Sequence, residues 1–218
     1  ANVESPNADG QTALMIVART NNVAAARLLM SKGANVNRSE EWRQQTPLMW
    51  AAAQSQPAMV KELLASGANA NARATVNAWE RQVTSEPRAI ARPAGGFTPL
   101  LYAARQGCVD CAKALVDGGA NKDMADPEGV TPLIMAISNG RFDTAAYLLS
   151  AGANPDLWDW WGRTPLYEAV DQNTLPPGGR PDLPSLDKTT SLKMIELLLD
   201  AGASANPQLK LFPPYRAV

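Results

Sequence analysis

Residues 131–154 read TPLIMAISNGRFDTAAYLLSAGAN, and residues 98–121, 33 positions earlier, read TPLLYAARQGCVDCAKALVDGGAN. Both open on Thr-Pro-Leu and close on Gly-Ala-Asn, with that glycine 21 residues after the threonine. Thr is a good helix N-cap, and Pro in the next position already holds the helical φ and lacks only an N–H that would go unpaired there. Thr-Pro therefore starts a helix. Leu100 and Leu133 begin an apolar stripe, and small residues such as Ala103 and Ala104 let a neighbouring helix approach closely. After a short turn, a second helix carries the pair Leu148 and Leu149 and ends at the glycine, the residue best suited to the left-handed conformation beyond a helix. A turn such as Asp126-Pro127-Glu128-Gly129 then leads outward to the next unit.

Outward from these two units the phrase recurs at Thr12-Ala-Leu-Met, Thr46-Pro-Leu-Met and Thr164-Pro-Leu-Tyr, and the closing glycine at Gly33, Gly67 and, after an insertion, Gly202. The chain resembles the ankyrin family, whose repeat of about 33 residues is a β-turn plus two helices with a Thr-Pro-Leu-His-Xaa-Ala signature. Within that family it is similar to bacterial arrays with Trp-rich turns and inserted loops. The resemblance implies an all-α repeat solenoid of about five helix-turn-helix repeats joined by β-turn fingers. One departure is consistent: the family's His is replaced by Met15, Met49, Leu101, Ile134 and Tyr167. Apolar packing is expected where that His would make a polar bond between repeats.

On this reading residues 1–218 are one domain, with repeats at about 7–39, 40–72, 94–125, 126–158 and 159–206 and a tail over 207–218. The step from Thr46 to Thr98 is 52 residues, against 33 or 34 for the others, so about 73–94 is an insertion in the turn region between repeats two and three. Val76, Trp79 and Val83 in it are spaced to share one face of a short helix. A second insertion, about 171–190, separates the helices of repeat five, and its run of prolines and glycines precludes a helix. Both ends look cut, and Leu209, Leu211, Phe212 and Tyr215 are expected to fold back over repeat five as the cover a solenoid end needs.

The 20 basic and 21 acidic residues nearly cancel, so no overall field draws nucleic acid or an anionic membrane. No apolar stretch approaches the roughly 20 residues that cross a bilayer, so membrane insertion is not expected. No targeting peptide is visible at Ala1-Asn2-Val3-Glu4, which fixes no compartment, cytoplasmic or exported. Histidine is absent, which removes the usual general base and the commonest transition-metal ligand. With two cysteines, a four-thiolate zinc site within one chain is excluded.

Similar ankyrin arrays bind partners with the turn tips and the exposed side of the first helix. Carried onto this sequence, the position after the His slot holds Ile16, Trp50, Tyr102, Met135 and Glu168, expected as a row along the concave face. The turn positions hold Trp42, Arg43 and Gln45; Phe97; Pro127, Glu128 and Val130; and Trp160, Trp161 and Arg163. Four of the six Trp residues fall on these positions, and Trp is over-represented at binding hot spots because a rigid ring buries much area at low entropic cost. Trp158 is instead expected to face inward.

Cys108-Val-Asp-Cys111 falls where the second helix of repeat three begins. Two reduced, partly buried thiols, a structural disulfide of an exported protein, and redox or metal chemistry are the readings, the last lacking the βαβ setting of thiol oxidoreductases. Asp156, Asp159, Glu168, Asp171, Asp182 and Asp187 cluster near repeat five, mostly in turns where Asp caps backbone N–H groups. No metal or cofactor is called for. The leading function is a non-catalytic binding module with a concave aromatic surface for a protein partner, monomeric or part of a longer array. The alternative is a glycan or small molecule at the Trp-rich turn of repeat five under the Pro-Gly insertion; an enzyme using the acids or thiols comes last.

Overall fold

The computed structural model describes residues 2–77, 94–174 and 187–205. Among them the chain forms α1 (Ala13–Arg19), α2 (Val23–Ser31), α3 (Pro47–Ala53), α4 (Pro57–Ala65), α5 (Pro99–Gln106), α6 (Val109–Asp117), α7 (Pro132–Ser138), α8 (Phe142–Ser150), α9 (Pro165–Thr174) and α10 (Ser191–Asp200). None of these helices is long and apolar enough to cross a membrane.

The helix starts follow from Thr-Pro. Each of α3, α5, α7 and α9 begins on its proline. The preceding threonine Oγ1 accepts the N–H three residues on, from Met49 (3.4 Å), Leu101 (3.3 Å), Ile134 (3.2 Å) and Tyr167 (3.2 Å). In α1, where Ala13 stands in place of proline, the buried Thr12 Oγ1 has no partner, and the Thr12 N–H reaches the Met15 sulfur at 3.5 Å. The ends follow from glycine. Beyond α6, Gly119 sits at φ +86°, its N–H donates to the Val116 carbonyl at 3.0 Å, and the Ala120 N–H donates to the Leu115 carbonyl at 2.9 Å. That pair of bonds satisfies two carbonyls that the end of a helix would leave open.

The first helices stack as one layer, α1 on α3, α3 on α5, α5 on α7 and α7 on α9, and the second helices as another, α2 through α10. The core lies between them. Ala18, Ala51, Ala52, Ala103, Ala104, Ala136 and Ala169 are buried where neighbouring first helices meet, and Met59, Leu63, Leu115 and Leu148 fill the space toward the second layer. Met15, Met49, Leu101 and Ile134 are also buried, so apolar packing occupies the slot where the family has His. Tyr167 is exposed, because among the described residues no helix pair follows α9 and α10.

A second line of contacts runs along the loops that follow the second helices. The Asn35 N–H donates to Glu4 Oε1 (2.8 Å), the Asn69 N–H to Asn37 Oδ1 (2.7 Å), the Asn121 N–H to Asn71 Oδ1 (2.7 Å), the Asn154 N–H to Asp123 Oδ1 (2.9 Å) and the Ser204 N–H to Asp156 Oδ1 (2.8 Å). The amides of Asn37 and Asn71 also donate forward, to the carbonyls of Gly67 (3.0 Å) and Gly119 (2.9 Å). The Asn-Xaa-Asn or Asn-Xaa-Asp after Gly-Ala thus ties one repeat to the next. Asp123 and Asp156 keep the acceptor and lack the donor.

The first inserted stretch leaves from a finger. The Ala74 N–H donates to the Phe97 carbonyl (3.0 Å), the Gly96 N–H to Thr75 (2.8 Å) and the Asn77 N–H to Ala94 (2.7 Å), with an antiparallel bridge between Val76 and Gly95. Val76 is therefore in extended backbone and does not begin the short helix expected of it; Trp79 and Val83 lie outside the described residues. In the second stretch, α9 continues to Thr174, so residues 171–174 are helical. Residues 187–190 lie against α8, where the Asp143 carboxylate accepts the Lys188 N–H (3.0 Å), the Thr189 N–H (2.9 Å) and the Thr189 hydroxyl (2.7 Å). The expected cover from Leu209, Leu211, Phe212 and Tyr215 lies outside the described residues.

Candidate binding surface

Four of the fingers are turns whose first residue folds its side chain back onto the turn's own N–H groups. Asn7 Oδ1 accepts from Asp9 (3.0 Å) and Gln11 (2.9 Å), and Asp126 Oδ1 from Glu128 and Val130 (both 2.9 Å). Asp159 Oδ1 accepts from Trp161 and Arg163, both at 2.9 Å. In the second finger, which lacks Asp, the longer Glu40 does the same work, its carboxylate taking the N–H groups of Trp42 (2.7 Å), Arg43 (2.8 Å) and Gln45 (3.1 Å). Burial raises the Asp126 carboxyl above the usual range, against its two backbone hydrogen bonds. Adjacent fingers are joined by backbone bonds, Thr75 N–H to the Arg43 carbonyl (2.8 Å) and Trp160 N–H to the Glu128 carbonyl (2.6 Å). The turns are thus held by the protein's own hydrogen bonds.

On these tips Trp42 is 79% exposed, Trp160 42% and Arg43 exposed, while Trp161, Phe97 and Arg163 are half-buried. Trp158 is 53% exposed, contrary to the inward placement expected of it. Its position beside Asp159 explains this: the buried Asp159 takes the inward place in this finger in order to reach its N–H donors and the Arg163 guanidinium.

The expected row on the first helices is only partly exposed. Ile16 is exposed and Trp50 and Met135 are half-buried, but Tyr102 is 8% exposed and Glu168 3%. Polar side chains can be buried when their partners come with them. The Tyr102 ring meets the edge of Phe97 at 5.3 Å between centroids, and its hydroxyl accepts from Gln45 Nε2 of the preceding finger. Glu168 is held by the Arg163 guanidinium (2.8 Å) and the Ser138 hydroxyl (2.9 Å). Arg163 also pairs with Asp159. Burial works to lower the Arg163 pKa, and the Asp159 and Glu168 carboxylates outweigh it and raise the value.

Two residues of this face were absent from the expected set. The exposed Arg19 lays its guanidinium 4.8 Å from the centroid of the Trp50 ring, and the exposed Arg105 lies 5.4 Å from both Phe97 and Tyr102. Each stands three residues after a row position, Ile16 and Tyr102, on the same helix. That spacing is the signal by which the sequence could have placed them on this face.

Cys108 and Cys111 form a disulfide, which corrects the reduced-thiol reading. Cys111 is wholly buried, and the Cys108 sulfur also accepts the Cys111 N–H at 3.2 Å, capping α6. A bonded pair leaves neither sulfur as a thiolate. Of the acids near repeat five, Asp156, Asp159, Glu168 and Asp187 hold backbone or side-chain donors, Asp171 is exposed, and Asp182 lies outside the described residues. Among the described residues no three His, Cys, Asp or Glu side chains gather as a metal site would require.

No curated protein matches the sequence. The family described as ankyrin repeats matches over residues 1–74, 83–159 and 100–209, nearly the whole chain, and its members are generally protein–protein interaction modules. With paired helices in two layers, fingers between them and Thr-Pro-Leu at the helix starts, the chain belongs to the ankyrin-repeat family.

Proposed function

We propose that this chain is a non-catalytic module that binds a segment of another protein across its finger tips and first-helix face, anchored by Trp42, Trp50 and Trp160. The observation that carries the reading is Trp42. A large indole stands 79% exposed on a turn whose backbone is pinned by the buried Glu40 carboxylate. Exposing such a ring has no benefit to folding, and holding it on a fixed backbone lowers the entropy lost when a partner covers it. Phe97, Met135, Arg43, Trp161 and Arg163 are assigned to the same surface, and Glu168, which is buried, supports it from beneath through Arg163. A peptide or protein ligand should lose about thirty-fold in affinity on Trp42→Ala, in the range of an interface hot spot. Leu28→Ala, which trims an exposed leucine on the second-helix layer, should change nothing. Equal losses from the two variants, read by isothermal titration, would place the binding face elsewhere.

A second reading, a glycan or small molecule at the fifth finger, is supported by the exposure of Trp158 and Trp160 within one turn. Saturable tryptophan quenching by an oligosaccharide, abolished by Trp158→Ala and indifferent to Trp42→Ala, would favour it.

A further inference from the structure

Resting on that binding reading, we propose that the first-helix face of the first three helix pairs takes an extended acidic peptide, with carboxylates on Arg19 and Arg105 and an apolar side chain over Trp50 between them. The helices that build this face, α1, α3 and α5, read ALMIVAR, PLMWAAA and PLLYAARQ, with two arginines and no carboxylate. Three arginines have anionic partners, Arg27 with Glu62, Arg38 with Glu4, and Arg163 with Asp159 and Glu168. Among the described residues Arg19 and Arg105 have none, and each instead lies over an aromatic ring. A guanidinium stacked on a ring keeps its in-plane N–H groups, which is the edge that a carboxylate engages in a fork.

Trp50 sits on the helix between the two arginines, and its buried Nε1–H has no acceptor. Neighbouring helices pack about 8–10 Å apart, so α1 and α5 are about 16–20 Å apart across α3. An extended chain rises about 3.3 Å per residue, which places the two acidic residues about five or six apart with the apolar residue between them. The face also has a direction. At its far end α9 carries the exposed Asp171, which would repel an acidic segment and confine it to the first three pairs. The chain's net charge of -1 favours a peptide over nucleic acid.

The test is a random dodecapeptide display selection on the whole chain, with the selected peptides titrated by fluorescence anisotropy. Selected peptides are expected to carry two Asp or Glu residues flanking an apolar one. They should bind about ten-fold more weakly to the double variant Arg19→Gln, Arg105→Gln, the size of two partly exposed ion pairs. The same loss should follow when their acids are replaced by Asn or Gln, and affinity should fall as sodium chloride rises from about 0.05 to about 0.5 M. Circular dichroism melting of the double variant, expected to be unchanged, excludes misfolding as the cause. Selected peptides without acidic bias that ignore the double variant overturn the proposal; if they still weaken on Trp42→Ala, the protein-binding reading stands alone. If no peptide is enriched, or if the selected set ignores Trp42→Ala as well, both fall. A labelled oligothymidylate that binds more tightly than any selected peptide assigns the arginines to nucleic acid and also overturns it.

Discussion

Replacing Asn71 by Ala isolates the contribution of the loop ladder to coupling between repeats. The Asn71 side chain makes two bonds across the boundary between the second and third helix pairs, accepting the Asn121 N–H at 2.7 Å and donating to the Gly119 carbonyl at 2.9 Å. Both are exposed, so water replaces them in the variant, and each contributes toward the lower part of the usual range, about 0.5–1 kcal/mol net. The expected loss is about 1–2 kcal/mol. In a solenoid, stability is roughly the sum of repeat terms and nearest-neighbour terms, so the loss falls on one interface and lets the two sides unfold less cooperatively. Urea denaturation followed by circular dichroism should show a lower midpoint and a shallower slope. Asn71→Asp keeps the acceptor and removes the donor, as Asp123 does in the next repeat, and should lose about half as much. A change below about 0.3 kcal/mol for Asn71→Ala, or equal losses for Ala and Asp, would refute the assignment of a coupling role to this ladder.

Glu40→Ala removes the acceptor of three finger N–H groups and should destabilise by about 2–4 kcal/mol, read as a lower melting temperature, with weaker ligand binding through Trp42 as the turn loosens. Asp143 should make the docking of α10 sensitive to acid. Burial raises its pKa, but the hydrogen bonds from Lys188 and Thr189 and the Lys188 charge outweigh this and leave the folded value below the unfolded one of about 3.9. The unfolded chain then binds more protons between the two values, so the contribution is fully present above the unfolded pKa and is lost as pH falls through the folded one. Wild type and Asp143→Asn should differ in stability near pH 6 and converge on acidification, as followed by urea midpoints across pH. Reduction of Cys108–Cys111 opens a loop only a few residues long, so its removal should destabilise by at most about 2 kcal/mol and leave the helical signal intact, checked by melting with and without a reductant.

The repeats were legible because their signals are local. Thr-Pro specifies a helix start through a cap and a fixed φ, and Gly119 specifies an end through a positive φ, and neither needs to know what packs nearby. Side-chain direction was less legible. Tyr102 and Glu168 occupy the same register position as Trp50, yet they are buried because Gln45, Arg163 and Ser138 bring them partners from neighbouring elements. Trp158 turns outward because Asp159 needs the inside of the finger, and Val76 is extended because Gly95 pairs with it. The asparagine ladder shows the same limit: Asn71 and Asn121 are 50 residues apart, and the sequence between them carries no mark of the bond.

Local stereochemistry, then, was sufficient in the amino-acid order to define a stack of helix pairs, since caps, proline and glycine act on their own backbone. Which rings remain at the surface and which arginines lie over them was settled by the stacking itself. Those outcomes depend on polar partners delivered from distant points of the chain, and only packing brings those partners within reach.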